Sequence, residues 1–495
     1  MTESTDHIPT EKGFPTTLDD LSTTHFGGNN ITRACRFPPA LPAGILLLVL
    51  SAIGSAQTVT AVYSFTGKNS SANPSEVMPT QGRDGKLYGT SGGNTGGVYG
   101  TVFSLATNGL YRQLHTFDST NGANPDGGVA LASDGNFYGT ATGGGSGKGG
   151  VLFKITPNGV YTVLHSFLGG SDGTLPAAPP IEGSDGSLYG TTYGNTTTYS
   201  TIYKYSRASG TYSTLYQFDQ PHGQFVIAPL IQATDGNLYG TAFQGGGTNC
   251  GTIFEVNTSG LPLFTYSFPC GLGGSSPVGP LLQTSDGSFY GTTSLGGSAF
   301  VGTIFKLDQK GNVQTLYSFQ GFSGRNADGS SPYGGLYQAT DGKLYGSASA
   351  GGTQNFGTLF QITTSGSYKQ LYSFTAPTGS FASGALMQDT NGLLYGTTLL
   401  SGRFGFGTVY SLDLGLLPFV ALVRYTGKIG SKAQILGQGL TGTTSVTFNG
   451  VNATTFTVFS DTYMTATVPT GATTGPVVVT TPSRTLTSNV NFRVQ

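Results

Sequence analysis

Charge, cysteine and histidine are all scarce in this sequence, and each scarcity argues against a class of function. Charged residues make up 9% of the 495 residues, the formal net charge is −1, and no basic run occurs. Nucleic acid is therefore not an expected partner, because duplex binding needs many Lys and Arg side chains facing phosphates. The five histidines and three cysteines form no His-x-x-His or Cys-x-x-Cys motif. We expect no resident metal or cofactor and assign no catalytic residue.

Glycine, in contrast, is abundant, with 80 residues, and much of it belongs to a repeated motif. The motif Asp-Gly-x-Leu/Phe-Tyr-Gly occurs six times, and an Asn-Gly variant follows as a seventh copy. Successive copies start 50, 51, 50, 51, 55 and 50 residues apart, at Asp84, Asp134, Asp185, Asp235, Asp286, Asp341 and Asn391. A regular spacing of this kind indicates seven copies of one supersecondary unit packed side by side.

Each unit contains four short apolar segments, which we name strands A to D. In the fourth copy they are residues 228–234, 237–243, 251–256 and 263–268, separated by Asp-Gly, Gly-Gly-Gly and Asn-x-x-Gly turns. Such turns supply the positive φ angles that hairpins require. We predict an all-β fold, a seven-bladed β-propeller of four-stranded blades. The alternative is a right-handed β-helix, whose rungs are typically shorter and need no hairpin turns.

The two ends of the repeat region complement each other. Residues 58–65 have the pattern of a strand D but precede the first A–B–C set, and no strand D follows residues 407–412. We therefore predict that the N-terminal strand completes the seventh blade. This arrangement would close the ring and remove two exposed sheet edges, which otherwise promote aggregation.

Regions of different character flank the repeats. Arg33 and Arg36 precede the apolar run at 43–53 and the small residues at 54–56, a pattern typical of a secretory signal cleaved after Ala56. An uncleaved anchor is the alternative, although this run is shorter than the roughly 20 apolar residues that span a bilayer. We assign 1–56 as a signal peptide with an extended polar n-region, 57–415 as the propeller, and 416–495 as a separate immunoglobulin-like β-sandwich.

Two cysteines remain after cleavage of the leader, and the repeat brings them together. Cys250 precedes strand C of the fourth unit and Cys270 follows its strand D, at equal distances from the turn near Gly260. Antiparallel pairing would place them opposite each other. We predict a disulfide between them, as an even cysteine pair in an exported chain suggests. Two free thiols are the alternative.

The repeated unit resembles the GloVer tandem repeat of exported bacterial proteins over roughly residues 58–412. The resemblance rests on Asp-Gly-x-Leu-Tyr-Gly-Thr, Gly-Thr-Ile/Val-Phe and Leu-Tyr-Ser-Phe, which recur along the chain. It implies a secreted or cell-surface protein and no particular activity. The tail, with residues 430–440, 445–450 and 468–469, resembles the IPT/TIG family of immunoglobulin-like domains.

The aspartates and tyrosines of the repeated motif are expected to be structural. Asp before Gly is selected by a tight A–B turn, and Asn391 substitutes for it in the seventh copy. The tyrosine of each copy is expected to pack between blades, as its regularity suggests. His115 and His165 occupy a strand-D position that is Tyr in other copies, and we expect them to be surface residues of an edge strand.

The D–A loops, which lead from one blade to the next, vary most and contain the candidate ligand contacts. They hold Asn121-Gly-Ala-Asn-Pro125, Asp172-Gly-Thr-Leu-Pro176 and Asp328-Gly-Ser-Ser-Pro332. Turn chemistry explains much of this pattern. The candidates are Asp118, Asn124, Asp126, Asp172, Asp219, His222 and Asp328.

These observations favour a monomeric, non-catalytic binding protein, secreted or at the cell surface and without a membrane span once the leader is removed. Its loop face would engage an extracellular glycan, polymer or surface protein. One alternative is a propeller enzyme, a polysaccharide lyase or hydrolase whose paired carboxylates come from distant loops. Another alternative is a structural component of the cell envelope.

Overall fold

The computed structural model of the protein describes residues 57–67, 72–74, 78–93, 99–194, 199–321 and 328–495. Within these ranges the fold is all-β and β-propeller-like, and the helical elements are two 3₁₀ turns, Gly170–Asp172 and Gly271–Gly273. No described helix has the length and apolar character needed to cross a membrane. The predicted signal peptide, 1–56, lies outside the described residues.

Seven four-stranded antiparallel sheets follow the seven copies of the motif, and we number them 1 to 7 in chain order. Strands A are Thr80–Gln81, Val129–Leu131, Ile181–Glu182, Ile231–Gln232, Leu282–Gln283, Leu336–Gln338 and Met387–Gln388. Strands B are Leu87–Ser91, Phe137–Ala141, Leu188–Thr192, Leu238–Ala242, Phe289–Thr293, Leu344–Ala348 and Leu394–Thr398.

The outer two strands of each sheet complete the meander. Strands C are Thr101–Leu105, Val151–Ile155, Thr201–Ser206, Thr252–Val256, Thr303–Leu307, Thr358–Ile362 and Thr408–Asp413. Strands D of sheets 1 to 6 are Tyr111–Thr116, Tyr161–Ser166, Thr211–Gln217, Pro262–Ser267, Val313–Ser318 and Tyr368–Ser373. The A–B and C–D turns lie at one end of the sheets, which we call the turn end. The B–C and D–A loops lie at the other, the loop end.

The fourth strand of sheet 7 comes from the opposite end of the repeat region. Thr58–Ser64 pairs antiparallel with Thr408–Asp413, with Val59 opposite Leu412 and Ser64 opposite Thr408. The predicted closing strand is therefore confirmed. It covers the outer strand C, whose unpaired N–H and C=O groups would otherwise be exposed.

Backbone hydrogen bonds at the loop end join neighbouring sheets in a ring. One residue in each D–A loop adopts a left-handed conformation, and in six loops its N–H donates to a carbonyl in the B–C loop of the preceding sheet. At the remaining junction the Val226 N–H donates to Ser200 Oγ at 3.2 Å. The seven left-handed residues are Asn73, Asn124, Leu175, Phe225, Ser276, Ser331 and Phe381.

Large side chains fill the spaces between sheets. Strands B and C are buried on both faces, which explains their nearly continuous apolar sequence. Tyr88 of sheet 1 stacks on Phe137 of sheet 2 with ring centroids 3.9 Å apart. The motif tyrosines are buried, with 0% to 8% of their surface exposed. The predicted inter-sheet packing role of these tyrosines is confirmed.

The C-terminal residues form two further four-stranded sheets around one apolar core. One sheet has the order Ala421–Leu422, Lys432–Leu436, Tyr463–Thr467, Phe456–Ser460, and the other Val451–Asn452, Ser445–Phe448, Val477–Thr480, Thr485–Thr487. Thr426–Gly427 pairs in parallel with Arg493–Val494. Ile435, Val446, Met464 and Val477 contribute to the core that the two sheets share.

Candidate functional site

The repeated aspartates act within their own turns. Asp134 accepts hydrogen bonds from the Asn136 N–H at 3.0 Å and from the Tyr138 hydroxyl at 2.7 Å. In the seventh copy the Asn391 side chain accepts from the Leu393 N–H at 2.9 Å and donates to the Tyr395 hydroxyl at 3.0 Å. The predicted turn role of the motif aspartate is confirmed.

These turns also favour the ionised form of their aspartates. Partial burial acts to raise the pKa of Asp185, but hydrogen bonds from Lys204, Ser187 and Tyr189 outweigh it and lower the pKa to about 2. The Thr284 hydroxyl is the main group that lowers the pKa of Asp286 to about 2. A carboxylate held in this way is a poor proton donor near neutral pH.

The first candidate loop, between sheets 1 and 2, contains three predicted ligand contacts. Asp118 is exposed and accepts hydrogen bonds from the Thr120 hydroxyl at 2.7 Å and the Asn121 N–H at 2.9 Å. The Thr120 hydroxyl, together with these loop N–H groups, lowers the pKa of Asp118. Asn124 is exposed and belongs to the left-handed ring, while Asp126 accepts from the Thr142 hydroxyl at 3.2 Å.

The remaining candidates are likewise bonded inside their own loops. Asp172 accepts from the Leu168 N–H at 2.7 Å and lies 3.0 Å from His165 Nε2. Asp219 is bonded to the imidazole of His222 three residues later. Asp328 is buried and accepts from the Gln320 N–H at 3.0 Å and from the Tyr317 hydroxyl.

The structure does not gather these candidates into one cluster. They lie in the D–A loops that follow sheets 1, 2, 3 and 5, and each stabilises the loop that contains it. Within the described ranges, no three His, Cys, Asp or Glu side chains are grouped as metal ligands would be. Whether any candidate contacts a ligand stays a prediction.

The interpretation of His115 and His165 as edge-strand surface residues is wrong. The His115 ring stacks on Tyr161 of the next sheet at 3.8 Å with an interplanar angle of 1°, and His165 stacks on Tyr212 at 3.7 Å. Burial lowers the pKa of His115. Neighbouring sheets pack face to face, so their outer strands contact each other even though each ends its own sheet.

The predicted disulfide is present and lies at the loop end. Cys250 and Cys270 are bonded, with Cα atoms 5.5 Å apart and a sequence separation of 20. The bond joins the end of the B–C loop of sheet 4 to the start of the D–A loop that follows. It therefore fixes two loops of the candidate binding face relative to each other.

An apolar cavity of about 320 Å³ lies where the inner segments of all seven sheets meet. It is lined by strands A and by the D–A residues leading into them. Alternate residues of these segments are partly accessible, among them Pro179, Ile181, Pro229 and Ile231. Met78 also lines the cavity and is 39% exposed, so the cavity reaches the surface at the loop end.

The inner wall offers few polar groups. Of the described lining residues, none carries a formal charge at neutral pH. The Thr80 hydroxyl donates to the Val129 carbonyl at 2.6 Å, and the Thr140 hydroxyl of strand B donates to the Ala178 carbonyl of the next sheet at 2.9 Å. Tyr333 and Ser383 also have interaction partners. The cavity therefore presents mainly hydrocarbon surface.

The C-terminal region covers the inner part of the turn end, while C–D turn residues such as Leu261 stay exposed. Arg83 of sheet 1 donates to Gln434 Oε1 at 2.9 Å, and its guanidinium lies 4.5 Å from the ring centroid of Tyr463. The Tyr425 hydroxyl donates to the Gln232 carbonyl of sheet 4 at 2.8 Å, and Asn489 Nδ2 donates to the Tyr337 hydroxyl of sheet 6 at 3.3 Å. Contacts thus reach well-separated parts of the ring.

A buried charge cluster anchors this cover. Glu182 is largely buried, receives the Ser133 N–H at 2.6 Å, and is bonded to the guanidinium of Arg207. Arg424 of the C-terminal region lies 3.8 Å from Glu182 and donates to the Ser184 carbonyl at 2.5 Å. Most other strands A have Gln at this position, so Glu182 introduces a charge that both arginines balance.

A second unusual carboxyl lies beneath the cover. Asp389 is fully buried in sheet 7. Burial raises its pKa to about 6, against the opposing effect of hydrogen bonds from the Asn391 N–H and the Gln438 side chain. The neighbouring Thr390 carbonyl accepts from the Phe419 N–H at 3.2 Å. The turn end is therefore occupied by protein and the loop end is open.

Sequence reasoning missed the cavity, Glu182 and Asp389. A signal for the cavity does exist: segments such as Ala177-Ala-Pro-Pro-Ile181 and Ile227-Ala-Pro-Leu-Ile231 are apolar at every position and contain proline. Proline suits an inner edge strand because it removes an N–H that would lack a partner. A signal for Glu182 and Asp389 is that each departs from the repeat.

The family model of the Gloeobacter/Verrucomicrobia repeat matches residues 48–194, 169–330 and 322–489. No curated protein matches the chain in sequence. The chain is similar in structure to a fungal alcohol oxidase of the AA5 family in complex with copper, at 14% identity and a TM-score of 0.49, covering 87% of this chain and 98% of that one.

Two bacterial structures are similar at the same level. The extracellular domain of a proposed one-component system from B. thetaiotaomicron has 12% identity and a TM-score of 0.47, covering 89% of this chain and 59% of that one. An oligogalacturonate lyase from Vibrio parahaemolyticus has 14% identity and a TM-score of 0.43, covering 72% and 93%. The copper and lyase chemistries of these proteins do not transfer to this chain at such identities.

Proposed function

Since this chain belongs to the Gloeobacter/Verrucomicrobia repeat family, we propose that it is an exported, non-catalytic binding protein. It acts in the secreted space or at the cell surface and takes an extracellular glycan or surface protein as its partner. The seven sheets are the blades of a seven-bladed β-propeller, and residues 416–495 are an immunoglobulin-like domain of the IPT/TIG type. The partner binds at the loop end.

The observation that carries this proposal is the difference in accessibility between the two ends. The turn end is in contact with the C-terminal region through Arg83, Glu182 and Gln232. The loop end has no such cover among the described residues and contains several exposed large apolar side chains. These are Met78, Tyr99, Leu168, Tyr199, Leu272, Leu295, Phe300, Phe381, Leu400 and Phe404.

An exposed aromatic side chain at the loop end supports a binding role for Phe381. Phe381 is 42% exposed and has φ of 56°, a conformation that disfavours any residue with a bulky side chain. Glycine would adopt it without strain. All seven D–A loops share this conformation, so the strain belongs to the ring of hydrogen bonds, and the exposed ring is what distinguishes Phe381.

The experiment is a glycan-array measurement on residues 57–495, with Phe381→Gly as the informative variant. Because the substitution relieves strain and removes an exposed ring, stability should change by less than about 1 kcal/mol. Binding to the array should fall at least tenfold. Ser331→Gly is the matched control, since Ser331 occupies the equivalent position of sheet 6 with φ of 51°.

Two results would contradict the proposal. One is array binding that Phe381→Gly leaves unchanged but that a Leu261→Gly variant at the turn end abolishes; Leu261 is also exposed, at 58%. The other is turnover of a polysaccharide that Asp118→Ala, Asp172→Ala or Asp219→Ala abolishes, because it would replace binding with catalysis.

A further inference from the structure

The central cavity has a chemical character of its own, distinct from the loops around it. Its wall is built of aliphatic and proline side chains such as Val129, Ile181, Ile231 and Pro280. A volume of about 320 Å³ lies within the range of small-molecule sites. Apolar walls of this kind accept hydrocarbon ligands.

The wall cannot satisfy a strongly polar occupant. A sugar ring brings several hydroxyl groups, and each hydroxyl buried without a partner is costly. The Thr80 hydroxyl is already bonded, as is the Ala178 carbonyl. A charged group would find no counter-ion among the described lining residues. Sugars and ions are therefore disfavoured inside the cavity, whatever they do at the loops.

Close packing of the inner segments keeps the cavity narrow. A Cβ atom added to Gly127 would come within contact distance of the Ala177 carbonyl, and one added to Gly279 or Gly334 would meet the backbone of the next sheet. The inner wall is thus continuous from sheet to sheet. An occupant enters through the loop end, where Met78 is exposed.

We infer that the cavity is a binding site for an uncharged aliphatic chain, which enters from the loop end. This inference rests on the proposed function, since it assigns a ligand class to the same end of the molecule. The apolar part of the ligand lies between the strands A, and its polar end stays at the level of the D–A loops.

The test is calorimetric titration of residues 57–495 with a series of 1-alkanols from butanol to decanol. Each added methylene buried in the cavity should raise the affinity about fourfold, until the cavity is full. Absence of binding across the series, or an affinity independent of chain length, would overturn the inference.

Substitutions inside and outside the cavity show where the alkanol binds. Ala177→Leu fills part of the cavity, so the rise in affinity should end at a shorter alkanol. Ala376→Leu is the matched control, because Ala376 is exposed in a D–A loop and does not line the cavity. An equal effect of the two substitutions would place the alkanol elsewhere and overturn the inference.

A second pair of variants covers the case in which Ala177→Leu does not fold. Ile231→Thr puts a hydroxyl in the wall and should weaken 1-octanol binding at least threefold, whereas Ile429→Thr, at an exposed position, should not. If no alkanol binds but Phe381→Gly still impairs binding to the glycan array, the cavity inference is overturned and the proposed function is not. Chain-length-dependent alkanol binding without array binding would overturn the glycan proposal alone.

Discussion

The two ends of the ring are built from the same repeated unit and differ in almost every other respect. At the turn end the copies agree: an aspartate, or Asn391 in the seventh copy, closes each A–B turn with a glycine and a tyrosine. The C-terminal region contacts this end at several sheets. At the loop end the copies differ in length, in charge and in the side chain of the left-handed residue. The residues that all copies share have structural roles, whereas the residues that differ between copies lie in exposed loops.

Hydrogen bonding shows how the turn end holds the ring. The Gln or Glu that ends strand A accepts an N–H from the turn of the preceding sheet, as Gln232 does from Ser184 at 2.7 Å and Gln388 from Thr340 at 3.0 Å. Gln81 accepts from Thr390 at 3.2 Å, which links the first and last sheets. The ring is therefore closed by side chains at the turn end and by backbone at the loop end.

The largest loss of stability is expected when the charge cluster at the turn end is disrupted. Glu182→Ala leaves Arg207 without its closest carboxylate partner in a largely buried site, so the free energy of unfolding should fall by about 3 kcal/mol. Glu182→Gln, which restores the residue common in other sheets, is the comparison variant and should lose less. Urea unfolding measures both. A loss below about 1 kcal/mol for Glu182→Ala would show that the cluster does not anchor the ring.

The Cys250–Cys270 disulfide supports the loop end covalently. Replacing Cys250 and Cys270 together with Ser opens a loop of 20 residues and should lower the free energy of unfolding by about 3 kcal/mol. The parent protein under reducing conditions is the control and should match the double variant. Equal stability of oxidised parent and variant would mean that the ring alone fixes these loops.

A pH experiment distinguishes two kinds of carboxyl group at the turn end. The pKa of Asp389 is raised from 3.8 to about 6 by burial, so the folded state retains a proton that the unfolded chain loses between these pH values. The resulting stability is fully present below pH 3.8 and is lost as the pH rises through about 6, on the order of 3 kcal/mol in all.

Asp389→Asn should abolish this part of the pH dependence and raise stability at pH 7. Asp185→Asn is the contrasting variant, because its lowered pKa makes it stabilising above about pH 4, an effect lost as the pH falls to about 2. Thermal unfolding from pH 2 to 8 distinguishes the two. Parallel curves for parent and Asp389→Asn would contradict the assignment.

A smaller loss of stability is expected when the hydrogen bond between the motif tyrosine and aspartate is removed. Tyr345→Phe removes a hydrogen bond of 2.8 Å to Asp341 and should cost about 1 kcal/mol, since bonds to carboxylates are strong but this one is partly exposed. Tyr290 holds the same position in sheet 5 but donates to the Thr364 carbonyl at 3.4 Å. Tyr290→Phe should therefore cost less, and the reverse order would refute the turn interpretation.

The smallest expected effect concerns the exposed aspartate of the first loop. Asp118→Ala should change the free energy of unfolding by no more than about 0.5 kcal/mol, because the loop it supports is in solvent. Its informative readout is binding to the glycan array. Loss of binding without loss of stability would make Asp118 a ligand contact, whereas a large loss of stability would make it a structural residue like Asp328.

Local features were predictable because they depend on few neighbouring residues. Asp-Gly within the repeated motif predicts a turn, and the pattern of residues 58–65 predicts the strand that pairs with Thr408–Asp413. The Cys250–Cys270 bond followed from hairpin symmetry. The environment of His115 was not predictable in the same way, because its stacking partner Tyr161 belongs to another sheet and no local pattern links the two.

The amino-acid sequence by itself determined the all-β class, the number of repeats, the closing strand and the disulfide. Each of these depends on turn chemistry, spacing or pairing along the chain. Only the tertiary structure decided that strands A enclose an apolar cavity, that Glu182 lies between Arg207 and Arg424, and that the turn end is covered while the loop end is open. The physical reason is that burial and charge compensation arise between distant segments, and local residue patterns carry no information on those distances.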